Sequence, residues 1–281
     1  MNPCNLTELI PALESAGFRF SKSLGQNFVT AQWVPRTLAE AAEVKSGWSV
    51  LEIGPGAGAL TRELAARADK VAVIELDERI LPVLRSATEE YDNISVAIGD
   101  ASKTDLALFA EKELPAPRMV CANLPYNITT EILEKLVYCS AFSRITVMIQ
   151  KEAAQKLFAR PGEAAWSLFA ARIAQRCDVK KICDVPPGCF TPEPHVVSSI
   201  VRLDLLPAPR AASKSEENFQ KVLAAAFKLR RKTVVNSIAS DLPFSKDTVT
   251  ERVVAAGLDP RVRGEALTLY EIAALADALY P

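Results

Sequence analysis

The chain has 281 residues, enough for one large domain or two ordinary ones. Hydrophobic residues make up 49% and charged residues 24%, a globular balance that argues against disorder, and no apolar run reaches the roughly 18 residues a membrane helix needs. The net charge of −1 argues against a strong polyanion binder, but it is unevenly spread. Residues 1–140 carry 13 Lys/Arg against 19 Asp/Glu, and residues 141–281 carry 20 against 15. That split is compatible with nucleic-acid contact on one side, and equally with ordinary scatter of surface charge. The first 20 residues show no apolar stretch behind a basic start, so no signal peptide is expected. Six cysteines without paired short spacings read as reduced, cytoplasmic thiols.

Short apolar runs alternate with helical periodicity from about residue 48. Trp48–Ile53, Val71–Glu75, Ile94–Ile98, Arg118–Ala122 and Ile145–Gln150 read as strands, while Leu60–Ala68, Glu78–Ala87 and Glu131–Tyr138 read as helices. This alternation predicts an α/β doubly wound parallel sheet with right-handed crossovers. A helix at Ala165–Arg176 precedes two strand-like stretches, Lys180–Val185 and Val197–Leu205, that would give the sheet an antiparallel end. Leu206–Ser215, rich in Pro, Ala and Ser, reads as a linker. Beyond it the pattern is helical only, at Glu216–Leu229, Arg231–Ala239, Lys246–Ala256 and Gly264–Leu279, with Gly257 as a helix stop. The expected division is therefore 1–206 and 207–281.

The strongest local signal is Val50-Leu51-Glu52-Ile53-Gly54-Pro55-Gly56-Ala57-Gly58, a buried strand entering a glycine turn ahead of a helix. Gly54, Gly56 and Gly58 permit positive φ and close approach of a ligand to the backbone. Glu75 ends the next strand 21 positions after Gly54, a placement suited to the two ribose hydroxyls of a nucleoside. Asp100 closes the strand after that, where it could accept from an adenine amine. The turn also fits a dinucleotide pattern through Ala59, so NAD stays open on the turn alone, as does a purely structural strand-to-helix turn.

Asn123-Leu124-Pro125-Tyr126 follows the fourth strand and suits transfer to a planar exocyclic amine. The Asn123 side-chain carbonyl and the Leu124 backbone carbonyl could accept the two amine hydrogens, freeing a lone pair that is otherwise delocalised into the ring. Pro125 restricts Leu124 to extended backbone, and Tyr126 offers a stacking face worth about 1–3 kcal/mol. Taken alone, the same four residues also read as an ordinary loop.

Lys22-Ser23-Leu24-Gly25-Gln26-Asn27-Phe28, Glu52 to Gly58, Glu75-Leu76-Asp77, Gly99-Asp100, Asn123 to Tyr126, Phe190-Thr191-Pro192-Glu193-Pro194 and Ala226 to Thr233 together resemble the small-subunit ribosomal RNA adenine-N6 dimethyltransferases. The resemblance runs in order over about residues 18–270. It implies a Rossmann-like methyltransferase sheet and S-adenosylmethionine as donor. It also implies two adjacent adenosines near the 3′ end of small-subunit rRNA as targets, reached on an assembling subunit by a monomer. Asn27, Val29, Gly54, Glu75, Asp100 and Asn123 would then touch the donor, with Val29 standing where the family more often has Leu. Phe190 would sandwich a flipped base against Tyr126, unless it is a core aromatic. Related large-subunit adenine methyltransferases share several of these pieces. The helical C-terminal domain and near-neutral charge are expected to separate the two groups. A non-catalytic assembly factor and, more remotely, a nicotinamide oxidoreductase complete the alternatives.

Lys228, Arg230, Arg231 and Lys232 put four cations in five residues. If Leu223–Ile238 is one helix, Lys228, Arg231 and Lys232 form a stripe beside the buried face of Leu223, Phe227, Val234 and Ile238. The stripe suits rRNA phosphates, or is simply a solvated face. Cys177, Cys183, Cys189 and His195 recur at intervals of six, which is not the close pairing of structural zinc ligands, so no metal is expected. Ser21–Thr30 is polar enough to be a flap ordered by the donor.

Overall fold

The computed structural model describes residues 1–18 and 26–281. The expected flap therefore lies partly outside the described residues, as do Lys22, Ser23, Leu24 and Gly25 of the first motif. The described residues form two compact units, 1–154 with 178–205, and 155–177 with 206–281.

The first unit carries a sheet built from β2 (Ser49–Ile53), β3 (Lys70–Glu75), β4 (Ile94–Ile98), β5 (Arg118–Asn123), β6 (Arg144–Gln150), β7 (Cys177–Val185) and β9 (Ser198–Leu205), in the order β4-β3-β2-β5-β6-β9-β7. β4, β3, β2, β5 and β6 pair in parallel, and β9 runs antiparallel to β6 over Arg144↔Asp204 to Gln150↔Ser198. The central strands are mainly apolar because both of their faces are covered; β2 is buried at all five positions, Ser49 and Glu52 included. β4, at the edge, is only partly buried. Strand order reverses direction between β2 and β5, which opens the crevice where ligands of such sheets bind.

Around this sheet lie α2 (Trp33–Ala41), α3 (Ala59–Ala65), α4 (Leu81–Thr88), α5 (Leu106–Glu113) and α6 (Thr129–Tyr138). A two-stranded ribbon of β1 (Phe28–Val29) and β8 (Phe190–Thr191) pairs Val29 with Phe190, far apart in sequence. α1 (Leu6–Ser15) was not legible as an element. It is capped by the Asn5 side chain and buries Leu9 and Leu13 with Phe18 and Phe28.

The second unit is helical: α8 (Leu168–Arg176), α9 (Glu216–Lys228), α10 (Val234–Ala239), α11 (Lys246–Ala255) and α12 (Leu269–Leu279). Its core joins Trp166, Ala170 and Ala171 to Phe219, Leu223, Ile238, Val249, Ile272 and Leu275. The helix expected to belong with residues 1–206 thus packs with the C-terminal helices instead. The stretch 206–215 is no free linker either. Ala211 is fully buried, and its amide donates to Oε1 of Gln175 (3.1 Å) while Nε2 of Gln175 donates back to its carbonyl (2.8 Å). Proline-rich composition forecasts irregular backbone there but says nothing about whether that backbone is packed.

The single helix Leu223–Ile238 is also broken in the structure. α9 stops at Lys228, and Thr233 caps α10 by accepting from the amide of Asn236. Leu223, Phe227, Val234 and Ile238 are all buried as anticipated, but on two helices. Gly257, at φ +77°, ends α11 as expected, the Leu258 amide donating to the Val253 carbonyl.

Candidate active site

A cavity of about 260 Å3 opens at the carboxyl ends of β2, β3, β4 and β5. Asn27, Val29, Gly54, Gly56, Glu75, Asp100, Asn123, Leu124, Pro125, Tyr126 and Phe190 all line it, so eleven of the positions singled out in the sequence meet in one place.

The glycine turn shows why three glycines are spent there. Gly54 and Gly56 adopt φ +68° and +55°, and a Cβ on Gly56 would stand 3.1 Å from the Phe28 ring. Gly58 does not line the cavity. It sits at φ +90°, where a Cβ would stand 2.9 Å from Leu84 of α4, so a side chain there would collide with that helix.

Glu75 is 7% exposed. Its Oε2 accepts from the Gly56 amide (3.2 Å), and its Oε1 accepts from the amides of Leu76 and Asp77 (both 2.9 Å). Burial raises its pKa while these amides pull it back. A carboxylate oxygen has about two acceptor sites, so Oε2 keeps a second one beside the Gly56 amide. Asp100 accepts from the Ser102 amide (2.9 Å) and pairs with Lys103 (3.3 Å), which holds its pKa below the usual range.

Asn123 ends β5, and the Leu124 amide donates to the Met148 carbonyl on β6, fixing the backbone that follows. The Pro125 ring lies 3.7 Å from where a Cβ on Gly54 would be, which docks this turn on the glycine turn. Tyr126 meets the Ser198 hydroxyl at 2.7 Å. Phe190 is 4% exposed and packs in the core cluster, as the core reading expects, and it also lines the cavity.

Glu52 belongs to the glycine motif, which by itself gives it no role, yet it lines the cavity. It is 1% exposed, accepts from the Thr61 hydroxyl (2.7 Å), and burial pushes it up to about 8. A lone carboxylate inside a fully buried five-residue strand was the available signal.

The four cations belong to the helical unit. Lys228 pairs with Asp241, and Arg230 pairs with Glu265 (2.8 Å) while donating to the Ala164 carbonyl. Arg231 and Lys232 are exposed, in the turn between α9 and α10. Among the described residues no group of three His, Cys, Asp or Glu side chains could hold a metal ion. Nor is any helix among them long and apolar enough to cross a membrane.

A mainly parallel sheet with a glycine turn after one strand, an acidic residue ending the next and Asn-Leu-Pro-Tyr across the switch point defines a Rossmann-like methyltransferase. The family model described as ribosomal RNA adenine dimethylase matches residues 17–272, and the chain belongs to that family. Its members take methyl groups from S-adenosylmethionine. The ribosomal RNA small subunit methyltransferase A of Clostridium acetobutylicum is 39% identical over 269 residues, covering 95% of this chain and 96% of its own. That of Streptococcus pneumoniae strain P1031 is 41% identical, covering 95% and 94%. Among solved structures, a dimethyladenosine transferase from Plasmodium falciparum superposes with a TM-score of 0.71 at 26% identity, over 88% of this chain and 95% of that one. The 23S rRNA methyltransferase ErmE gives 0.67 at 26% identity, over 91% and 100%. That coverage reaches into the helical unit, so the presence of such a unit does not separate small-subunit from large-subunit enzymes as the sequence reading expected.

Proposed function

We propose that this chain dimethylates N6 of two adjacent adenosines in the 3′-terminal hairpin of small-subunit rRNA, acting in the cytoplasm as a monomer on an assembling subunit. The observation that carries the reading is the meeting of Asn123-Leu124-Pro125-Tyr126 with the glycine turn and Glu75 in one cavity. The choice of subunit is supported by relatives at 39–41% identity that bear small-subunit names, against 26% for the 23S enzyme.

The cavity residues fit a nucleoside sulfonium donor. A side chain at Gly56 would crowd Phe28, so the backbone is kept bare there. Glu75 offers an oxygen to the ribose, and Asp100 an anionic acceptor at the adenine end. When bound, S-adenosylmethionine supplies a methyl group already activated by its sulfonium charge. Asn123 and the Leu124 carbonyl accept the two hydrogens of the target amine and turn its lone pair toward the donor. As the nitrogen forms its new N–C bond, the S–C bond breaks with its electron pair kept on sulfur, and an N–H proton leaves to water. No general base is required, and positioning supplies most of the rate. Tyr126 and Phe190 hold the flipped base between their rings. Arg231 and Lys232 reach rRNA phosphates from the helical unit.

Labelled S-adenosylmethionine with under-methylated small subunits and, separately, large-subunit rRNA tests the subunit choice. N6,N6-dimethyladenosine in the small-subunit sample alone is expected. Label confined to large-subunit rRNA selects the other enzyme group. No transfer to either, with RNA binding intact, selects an assembly factor.

A further inference from the structure

Ser198 is fully buried, yet its hydroxyl is spent on the Tyr126 hydroxyl at 2.7 Å. It opens β9 and stands opposite Gln150, the last residue of β6. The next backbone bond out, from the Lys151 amide to the Val197 carbonyl, closes the end of this pair at 2.9 Å. Its neighbour Ser199 is tied to Asp184 of β7 at 2.7 Å. The oxygen that Tyr126 meets is therefore carried by paired strands, while Tyr126 itself lies in a turn. Stacking needs only the ring; the hydroxyl tethers the ring's far end and so fixes its plane.

The value of that tether differs between two successive transfers to one nitrogen. An unmethylated amine presents two hydrogens, and Asn123 and the Leu124 carbonyl can accept both. In the first transfer the nitrogen gains a carbon, the S–C electron pair stays on sulfur and one proton goes to water, which leaves a single N–H. One of the two acceptors then has no hydrogen to hold, and orientation of the singly methylated base falls to its stacking partners.

We propose that Ser198 is a positioning residue for the second methyl transfer, holding the Tyr126 hydroxyl so that the ring orients a singly methylated adenine. The inference rests on the amine-transfer reading above and adds to it a residue that controls product distribution.

The test follows N6-methyladenosine and N6,N6-dimethyladenosine over time in under-methylated small subunits treated with S-adenosylmethionine. Wild type, Ser198→Ala, Ser198→Thr, Tyr126→Phe and the double variant Ser198→Ala/Tyr126→Phe are compared. Ser198→Ala and Tyr126→Phe are each expected to raise the ratio of singly to doubly methylated product several-fold. Ser198→Thr should restore the wild-type ratio, and the double variant should be no worse than either single one. Loss of folded enzyme would slow both transfers alike, so the ratio is compared at equal total methyl incorporation, where such a loss leaves it unmoved. If Ser198→Ala does not fold, Tyr126→Phe alone reads the tether. A wild-type product ratio in Tyr126→Phe, or in a folded Ser198→Ala, overturns the proposal. Asn123→Ala separates the two levels: wild-type turnover there sinks the amine-transfer reading itself. Loss of both products in Asn123→Ala beside an unchanged ratio in the hydroxyl variants sinks only the role of Ser198.

Discussion

Glu75 and Gly56 are joined by a hydrogen bond of 3.2 Å from the glycine amide to Oε2, which ties the end of β3 to the turn after β2. One carboxylate thus shapes the turn and still faces the cavity. Glu75→Gln keeps the size but removes the charge and points an N–H group at backbone donors. Charge-assisted hydrogen bonds contribute about 1.5–3 kcal/mol, so affinity for S-adenosylmethionine should fall by about 10- to 100-fold. Isothermal titration calorimetry reads this directly; unchanged affinity would remove Glu75 from the donor site.

The Glu52 carboxyl gives a pH dependence of definite sign. Burial lifts it from 4.5 to about 8, so between these values the folded chain holds a proton that the unfolded chain has released. Its contribution to stability is complete below the ordinary carboxylate range and is lost as pH rises through about 8. Donor-free wild type should melt at progressively lower temperature from pH 5 to pH 8, and Glu52→Gln should flatten that slope. Parallel melting curves for the two proteins would contradict it.

Gly54 lines the cavity, whereas Gly58 stands against Leu84 of α4. Gly58→Ala combines a left-handed backbone with a methyl group 2.9 Å from Leu84, whereas at Gly54 the nearest atoms are 3.7 Å away. Left-handed strain costs about 1–3 kcal/mol at either site. Gly58→Ala should therefore lower the melting temperature more than Gly54→Ala. Gly54→Ala should in turn weaken donor binding more than its loss of stability explains. Equal effects in both assays would undo the division.

The four cations should not behave alike. All four are exposed, but Lys228 and Arg230 are held by Asp241 and Glu265, an ion pairing that Arg231 and Lys232 do not share among the described residues. Arg231→Ala and Lys232→Ala should each weaken rRNA binding and reduce the slope of log affinity against log salt by about one. Arg230→Ala should mainly lower the melting temperature. A salt slope unaffected by either Arg231→Ala or Lys232→Ala would take rRNA contact away from this turn.

Much of the first unit was legible because parallel strands buried on both faces write themselves as apolar runs, and because glycine, acid and amide motifs sit at strand ends. β4 (Ile94–Ile98) was read with its observed bounds, and β2, β3, β5 and β6 within a residue. α1, α2, α5 and α7 (Lys151–Lys156) went unread, being short or held by tertiary contacts. The break between α9 and α10 was hidden for a different reason. Leu223, Phe227, Val234 and Ile238 keep helical spacing across it, and only the capping oxygen of Thr233 marks the interruption. The pairing of Tyr126 with Ser198 spans 72 positions, and no local pattern could announce it. Gly58 stands outside the cavity lining, which went unread because a sequence motif does not show which glycine faces the cavity and which faces a helix.

The most direct measurement is mass analysis of the 3′-terminal rRNA fragment from under-methylated small subunits after incubation with the enzyme and S-adenosylmethionine. Two methyl groups are expected on each of two adjacent adenosines, and their loss is expected in Asn123→Ala with an unchanged melting curve. Methylation elsewhere in the RNA, or full methylation by a folded Asn123→Ala enzyme, would contradict that expectation.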